Sequence, residues 1–203
     1  MTDTTEKKPS RIQVRNRHLI LNAALDVFSM HGFRGATLDQ ISEASGLSKP
    51  NILYYFSGKE EIHVTLLNQL MANWLDPLIA LDKDGDPTEE ILSYVMRKLD
   101  MARDLPRESR LFANEILQGA PRISMHLERD LKPLFEDKCG VIQTWVNEGK
   151  IADVDPQHLV FSIWSTTQHY ADFDAQLTVL KVENPVNGAR RHLDMMFRSL
   201  LAV

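Results

Sequence analysis

The chain has one cysteine, Cys139, and no hydrophobic run long enough to cross a membrane. A single thiol excludes an intrachain disulfide and is typical of a protein from a reducing compartment. A membrane-spanning helix needs about 18 or more apolar residues without charge, and no such stretch occurs. Residues 1–17, MTDTTEKKPSRIQVRNR, also contain no apolar segment of the kind found in secretory signals. We therefore expect a cytoplasmic protein that contacts no membrane.

Sequence motifs of the common catalytic and metal-binding sites are missing as well. The seven histidines show no His-Glu-x-x-His or other metal-ligand spacing. No Gly-x-Ser-x-Gly nucleophile, phosphate-binding P-loop or dinucleotide-type glycine pattern occurs. We predict that Cys139 is a small buried apolar residue, and we expect no metal, no cofactor and no catalytic residue. An all-helical enzyme is the rival hypothesis.

Acidic residues are absent from one part of the chain, although the whole chain carries a net charge of −5. None lies between Gly46 and Gly58. Residues 7–59 hold eight lysines and arginines against three acidic side chains, a net charge of +5, so the other residues together carry −10. A basic segment attached to an acidic body is typical of a protein that engages DNA locally, because the acidic remainder repels phosphate.

The stretch TLDQISEASGLSKPNILYYF, residues 37–56, predicts two short helices joined by a tight turn. Thr37 and Gln40 have the spacing of a capping box, in which each side chain accepts the other residue's backbone N–H. Gly46 can adopt the left-handed conformation that ends a helix without a steric penalty from a Cβ atom. Two helices across a short turn that contains glycine predict a helix-turn-helix. A purely structural helical hairpin is the alternative, which the charge pattern disfavours.

The second of these helices has an inward and an outward face. Ser48 is predicted to cap it, and Pro50 lies in its first turn, where a missing backbone N–H costs no hydrogen bond. Ile52 and Leu53 are predicted to point inward. The outward face is polar, aromatic and basic, and its members are Lys49, Asn51, Tyr54 and Tyr55.

The remaining sequence shows helix signals and no convincing strand pattern. A long helix is predicted after Ser57, with Glu60 completing a second capping box, and it runs to about Ile79. Further helices are predicted to begin near Thr88, Ser109, Ser124, Asp155-Pro156 and Asn184-Pro185.

The predicted fold class is all-α, with a three-helix helix-turn-helix domain followed by a larger helical domain. Residues 1–10 are predicted to form a flexible tail, residues 11–57 the helix-turn-helix domain, and residues 58–203 a helical ligand-binding and dimerisation domain. The last helix carries an apolar stripe that comprises Ala189, Leu193, Met196, Phe197 and Leu200. Because this stripe has no obvious partner within the chain, we expect a homodimer formed through the last two helices.

The helix-turn-helix motifs resemble the DNA-binding domain of the TetR family of bacterial regulators. The resemblance covers roughly residues 11–60 and is carried by FSMHGFRGATLDQISEASG followed by GLSKPNILYYFSGKEEI. It implies a dimeric repressor that binds a palindromic double-stranded operator in the bacterial nucleoid. The DNA contacts that it implies come from Thr37, Ser48, Lys49, Pro50, Asn51, Tyr54, Tyr55 and Lys59.

The following part of the chain resembles the pyrimidine-utilisation regulators within that family. LPRESRLFANEILQGAP and DPQHLVFSIWSTTQHYADF carry this resemblance, which extends over most of residues 15–175. It implies a small-molecule effector, uracil or thymine, bound in the body of the protein. The candidate ligand-binding residues are Trp74, Leu78, Phe112, Glu115, Trp164 and Gln168.

Two of these residues match the chemistry of a pyrimidine dione. The flat ring presents alternating carbonyl and N–H groups, so the amide of Gln168 can donate and accept along one edge while Trp74 covers the face. The alternatives are core packing for Trp74 and Trp164, and an interhelical hydrogen bond for Gln168. Two other functions stay open: a TetR-type regulator with a more hydrophobic ligand, and a non-catalytic helical dimerisation protein.

Overall fold

The computed structural model describes residues 10–203, and every regular element in that range is helical. The predicted all-α class is therefore confirmed. None of the helices among these residues is both long and apolar enough to span a membrane. The helices are α1 Arg11–Gly35, α2 Leu38–Ser45, α3 Lys49–Tyr55, α4 Lys59–Ile79, α5 Pro87–Asp104, α6 Pro106–Leu117, α7 Ser124–His126, α8 Lys132–Asn147, α9 Pro156–Asp172, α10 Asp174–Val179 and α11 Pro185–Leu201, with a π-helical segment, Leu127–Leu131, between α7 and α8.

The chain divides into two compact units, the first ending at Leu67 and the second comprising Asn68–Val203. This division lies inside α4, later in the chain than the boundary at residues 57 and 58 that the sequence analysis predicts. Of the predicted tail, only Ser10 belongs to the described residues, and residues 1–9 lie outside them.

Capping residues define the helices of the first unit. The Ser10 side chain accepts the backbone N–H of Gln13, and the Gln13 side chain accepts that of Ser10, so a capping box begins α1. Thr37 and Gln40 form the predicted capping box of α2, with hydrogen bonds of 3.2 and 2.8 Å. Gly46 ends α2 in the left-handed conformation, at a φ of 67°. The helix boundaries in this unit therefore follow from local signals.

The core of the first unit is built from fully buried side chains of α1 to α4. The largest of them are Ile20, Phe28, Ile41, Ile52, Phe56, Ile62 and Leu67. Gly32, with a φ of 63°, introduces a kink near the end of α1 and lets the chain turn towards α2. Burial of Ile52 in this core fixes which face of α3 points inward.

Two predictions for the first unit are wrong. Leu53, predicted to point inward, is 45 % exposed, because it lies about 100° round the helix axis from the buried Ile52. The predicted capping box of Ser57 and Glu60 is replaced by another contact. Since α4 begins at Lys59, its third residue is Glu61, which accepts the backbone N–H of Ser57 at 2.6 Å. Hydrogen bonds from Ser57 lower the pKa of Glu61.

Helices α5, α9 and α11 form the centre of the second unit. α5 packs against both α9 and α11, and α6 packs against α9. Asp86 and Asp155 cap α5 and α9 by accepting backbone N–H groups at 3.0 and 2.9 Å. The buried core that these helices enclose includes Ile91, Val95, Leu99, Ile142, Trp145, Val160, Ile163, Leu193 and Phe197.

The apolar stripe of α11 is largely internal to the protomer. Ala189, Leu193 and Phe197 are at most 2 % exposed and belong to the core of the second unit. Met196 is half-buried, and Leu200 is exposed. The prediction that this stripe meets a second protomer is therefore wrong for its central residues, because α5 of the same chain covers α11. The large apolar side chains that stay exposed on α9 and α11 are Phe161, Met195 and Leu200.

The segment between α6 and α8 departs from a regular α-helix. Leu127–Leu131 is wound as a π-helix, a rare conformation that often occurs at functional sites. Pro133 is the second residue of α8, which continues from the π-helical segment without a break, so its missing N–H group interrupts a continuous backbone hydrogen-bond ladder. The π-helical segment therefore ends beside a proline, and its last residue, Leu131, lines the cavity described below.

Candidate functional site

The outward face of α3 lies on the surface of the first unit. Ile52 anchors the helix in the core, and Ser48 caps it by accepting the backbone N–H of Asn51 at 3.4 Å. Lys49 donates from its ammonium group to both carboxylate oxygens of Asp39, at 3.0 and 3.1 Å. Because this ion pair is exposed, it contributes little to stability, and Lys49 can exchange its partner for another anion at small cost.

Polar side chains of α1 hold the end of α3. Gln13 donates to the hydroxyl oxygen of Tyr54 at 3.3 Å, and Asn16 donates to that of Tyr55 at 3.1 Å. Arg17 donates to the carbonyl oxygen of Tyr55 at 3.4 Å. The Tyr54 side chain is nevertheless 70 % exposed. These three bonds orient α3, and they are not among the contacts predicted from the sequence.

Lys59, the first residue of α4, is tied to the end of α1. Its ammonium group donates to the carbonyl oxygens of Phe33 and Ala36, at 2.9 and 2.8 Å, and lies 4.6 Å from the centroid of the Phe33 ring. An ammonium group has three N–H donors, so one of them can still meet an anion. Lys59 therefore has a structural role that the sequence analysis missed, beside the phosphate contact that it predicts.

The eight residues predicted to contact DNA all belong to the first unit, and each of them is exposed or half-exposed. Thr37 stands at the start of α2, and Lys59 stands at the start of α4. The others cap α3 or belong to it, namely Ser48, Lys49, Pro50, Asn51, Tyr54 and Tyr55. Side chains of this set are therefore available on the surface of the unit.

A cavity of about 60 Å³ lies in the second unit. This is several times the space that one buried water needs. The lining side chains come from α4, α5, α6, α9 and the end of the π-helical segment, and they are Met71, Trp74, Leu75, Leu78, Tyr94, Lys98, Phe112, Leu131, Trp164 and Gln168. Five of the six predicted ligand-binding residues are among them. A mostly apolar and aromatic wall with a few polar groups is typical of a small-molecule pocket.

Aromatic rings supply much of the cavity wall. Trp74 and Phe112 lie 6.0 Å apart between ring centroids, with their planes tilted by 33°. The indole N–H of Trp164 donates to the hydroxyl oxygen of Tyr94 at 2.6 Å. Burial raises the pKa of Tyr94 to about 12, so its hydroxyl group is protonated at neutral pH. The donor of Trp164 is therefore used within the protein, and this ring offers a ligand mainly an apolar surface.

Gln168 contributes an amide to the cavity wall, a group that carries both a donor and an acceptor. It is half-buried on α9, four residues after Trp164. Its amide forms no hydrogen bond with any residue that the structure describes. The alternative of an interhelical hydrogen bond therefore finds no support in this conformation. An amide at a cavity wall with its hydrogen-bonding capacity unused can meet a ligand.

Lys98 is the charged residue of the cavity, and only 3 % of it is exposed. Burial lowers the pKa of Lys98 to about 7, an effect that the nearby Asp172 opposes. Burial also raises the pKa of Asp172, whose Oδ1 accepts a hydrogen bond from the hydroxyl group of Ser109 at 2.6 Å. The sequence analysis missed Lys98. The available signal was the spacing of Lys98 from Ile91 and Val95, seven and three residues before it, which places it on the inward face of α5.

Glu115 does not line the cavity, although the sequence analysis places it in the ligand site. Its two carboxylate oxygens accept hydrogen bonds from the backbone N–H and the side-chain Nη1 of Arg122, at 2.8 and 3.0 Å. Glu115 is 1 % exposed, so this contact is a buried ion pair. Its carboxylate is used in holding the chain after α6, and that contact accounts for the burial of the residue.

Two family profiles match the chain. Residues 20–64 match the profile of bacterial regulatory proteins of the tetR family, and residues 67–200 match that of the C-terminal region of YcdC-like proteins. The chain therefore belongs to the TetR family and is a DNA-binding transcriptional regulator. The family resemblance stated from the sequence is confirmed.

Individual relatives agree with this assignment. The HTH-type transcriptional regulator RutR of Escherichia coli K12 is 47 % identical over 173 residues, which are 85 % of this chain and 82 % of that protein. Among solved structures, the ketosteroid transcriptional regulator KstR2 of Mycobacterium tuberculosis has a TM-score of 0.70 at 18 % identity, covering 97 % of this chain and 98 % of that one. AibR in complex with isovaleryl coenzyme A and operator DNA has a TM-score of 0.68 at 17 % identity, covering 92 % and 98 %. At such identities the two structures show the fold alone.

Proposed function

We propose that this regulator is a homodimeric repressor that binds a palindromic operator and responds to a pyrimidine, uracil or thymine, in the cavity of the second unit. The observation that carries the effector assignment is the unused amide of Gln168, which lines the same cavity as the ring of Trp74. The sequence resemblance to pyrimidine-utilisation regulators supports the same ligand. In this proposal the protein acts in the bacterial cytoplasm, on the DNA of the nucleoid, and has no catalytic step.

In the proposed complex with DNA, α3 lies in the major groove. Lys49 and Asn51 would meet base edges or phosphates, while Thr37, Tyr55 and Lys59 would fix the register through phosphates. The full set of contacts comprises Thr37, Ser48, Lys49, Pro50, Asn51, Tyr54, Tyr55 and Lys59. A dimer with two-fold symmetry then requires two half-sites about one helical turn apart, roughly 34 Å, or a multiple of it.

In the proposed complex with the effector, a flat ring lies in the cavity against its aromatic side chains. The amide of Gln168 would donate to a ring carbonyl and accept from the adjacent ring N–H, as a base-pairing edge does. Trp74 would cover one face of the ring, and Phe112, Trp164 and Leu78 would complete the apolar enclosure. Aromatic cover and one bidentate amide would select a planar imide over an apolar ligand.

The homodimer would use the exposed side of α9 and α11. Phe161, Met195 and Leu200 are 46 %, 63 % and 45 % exposed, and they lie on the two helices that the sequence analysis assigns to dimerisation. Exposed apolar side chains on neighbouring helices are commonly covered by a symmetric partner. Leu200 belongs to the apolar stripe that the sequence pattern indicated, whereas Met195 lies about 140° round the axis of α11 from Leu200.

Helix α4 is the element through which we propose that the effector acts. It begins with Lys59, and further along it contributes Trp74 and Leu78 to the cavity wall. In this proposal α4 can occupy two positions, which define two conformations of the protein. A ligand that packs better against α4 in one position raises the population of that conformation. The size of the response is limited by the ligand's differential affinity for those conformations.

Operator binding is expected to weaken steeply with salt, because each phosphate that the protein neutralises releases counterions. Replacing Lys49 by Met should lower the slope of log affinity against log salt by about one per protomer, if Lys49 meets a phosphate. Fluorescence anisotropy on a palindrome from the region upstream of the gene, at several salt concentrations, measures this slope. Lys132→Met, an exposed lysine of α8 in the second unit, is the matched control and should leave the slope unchanged. A wild-type affinity independent of salt would rule out the proposed operator binding.

Replacing Gln168 by Leu should weaken uracil and thymine binding by about tenfold or more. The change keeps the volume of the side chain roughly constant but leaves a carbonyl and an N–H of the ligand unpaired, at about 1–3 kcal/mol for each. Calorimetric titration of both proteins with both bases measures the effect, and thermal unfolding serves as its control. A lower unfolding temperature with wild-type affinity would make Gln168 a structural residue. Failure of both bases to bind the wild type would refute the pyrimidine effector while leaving the family assignment intact.

A further inference from the structure

The cavity contains an ionisable amine that the apolar core does not need. Lys98 projects from α5 among buried side chains and is 3 % exposed, in a wall that is otherwise aromatic and aliphatic apart from Tyr94 and Gln168. Burying an ammonium group is unfavourable unless its N–H donors are satisfied. A leucine or methionine at this position could fill the same volume without that cost.

The protein only partly compensates this charge. The ammonium nitrogen lies 4.1 Å from the centroid of the Trp74 ring, a cation–π contact that uses the face of one ring. Asp172 on α9 is the nearby acidic group, but its Oδ1 is engaged by the hydroxyl group of Ser109. In the part of the chain that the structure describes, the ammonium group of Lys98 hydrogen-bonds to no acceptor. Donors are therefore left over at the wall of the cavity.

Hydrogen bonds between α6 and α9 fix the position of Asp172 near Lys98. Ser109 on α6 and Asp172 on α9 are joined by a hydrogen bond of 2.6 Å, and Arg110 donates to the carbonyl oxygen of Ala171 at 3.2 Å. These bonds connect α6 to the end of α9, and they keep the carboxylate of Asp172 near Lys98. A counter-charge that is near but not hydrogen-bonded to the lysine stabilises the ammonium form and leaves its donors for another acceptor.

We propose that Lys98 is an effector-binding residue, whose ammonium group donates to an acceptor oxygen on the flat ring that Trp74 covers. The proposal rests on an effector bound in this cavity, and it adds a chemical requirement to the proposed function. The ligand must carry a carbonyl or anionic oxygen in addition to the edge that Gln168 meets. Uracil and thymine satisfy this requirement with their second carbonyl group, whereas a flat hydrocarbon or an indole does not.

Lys98→Met tests this role because it removes the charge and keeps an unbranched apolar side chain. Uracil affinity is expected to fall by about ten- to a hundredfold, since a hydrogen bond from a charged donor is lost. Thermal stability is expected to stay at the wild-type value or to rise, because a buried charge disappears. A purely structural lysine would show the opposite pattern, with lower stability and unchanged affinity.

Lys138→Met is the matched control. Lys138 is also mostly buried, with 14 % of its side chain exposed, but its ammonium group donates to the carbonyl oxygen of Leu81 at 3.1 Å, and it does not line the cavity. This variant should lose stability and bind uracil as the wild type does. Calorimetric titration and thermal unfolding of the three proteins separate the two lysines.

Three probes separate this inference from the pyrimidine assignment: uracil, benzoate as a flat ring with an anionic oxygen, and indole as a flat ring without one. If benzoate binds in a Lys98-dependent manner and uracil does not bind, the pyrimidine effector fails and the role of Lys98 stands. If Lys98→Met binds every oxygen-bearing probe as the wild type does, the inference is overturned. It is also overturned if only indole binds to the wild type, or if none of the three probes binds.

Discussion

Replacing Phe197 by Glu is expected to unfold the second unit and not to release folded monomers. Phe197 has no exposed area and belongs to the core formed by α5, α9 and α11. Loss of the ring alone costs about 3–5 kcal/mol, and a carboxylate without a partner in that core adds a further penalty. Together these costs approach the whole stability of an ordinary domain. Circular dichroism during denaturant unfolding, with wild type and variant side by side, measures the change.

Met195→Glu is the matched control on the same helix. Met195 is 63 % exposed, so a charge there stays in water and should change the stability of the protomer by less than about 0.5 kcal/mol. Because Met195 lies on the proposed seam, the same change should shift sedimentation from dimer to folded monomer. A folded Phe197→Glu protein with wild-type stability would show that the core assignment of α11 is wrong. A folded Met195→Glu dimer would move the interface to another surface.

Replacing Arg122 by Met is expected to destabilise the second unit by about 3–5 kcal/mol, because it leaves the carboxylate of Glu115 buried without its charged partner. The side chains of Glu115 and Arg122 are 0 % and 15 % exposed, and the bond between them is 3.0 Å long. Effector affinity should remain at the wild-type value in protein that is still folded, since neither residue lines the cavity. Denaturant unfolding and calorimetric titration at low temperature measure the two effects separately.

Arg129→Met controls for the loss of an arginine in the same region. Arg129 pairs with Asp130, and its side chain is 70 % exposed, so screening by water makes that pair weak. This variant should unfold within about 0.5 kcal/mol of the wild type. If Arg122→Met is as stable as Arg129→Met but binds the effector less tightly, then Glu115 belongs to the ligand site, as its sequence environment first indicated.

The helix-turn-helix was predictable because its signals are local. Thr37 with Gln40, Gly46, and Ser48 each act on backbone groups within a few residues, so their effect on the chain does not depend on distant partners. The structure has all of them where the sequence predicts them. The error at Ser57 was also local, because the start of α4 differs by one position and Glu61 takes the place of Glu60.

The error on α11 came from two helices, α5 and α11, that are distant in the sequence. An apolar stripe on α11 predicts that something covers Leu193 and Phe197, but periodicity cannot distinguish α5 of the same chain from a second protomer. Glu115 differs from this case, because its partner Arg122 is only seven residues later in the chain, but a single carboxylate on a helix does not indicate which nearby group will hold it. The partner of the α11 stripe is decided by the packing of whole helices, whereas that of Glu115 is decided by the turn that follows α6.

The sequence by itself therefore determined the all-α class, the boundaries and caps of the DNA-binding helices, and the family, because these rest on short-range hydrogen bonds and on motif spacing. Only the tertiary structure decided which side chains share the cavity. Trp74, Lys98, Phe112 and Gln168 come from four helices, and long-range packing of apolar faces brings them together. The lysine illustrates the difference: its position on the inward face of α5 is a property of the sequence, but its unused donors at the cavity wall exist only because neighbouring helices exclude water from it.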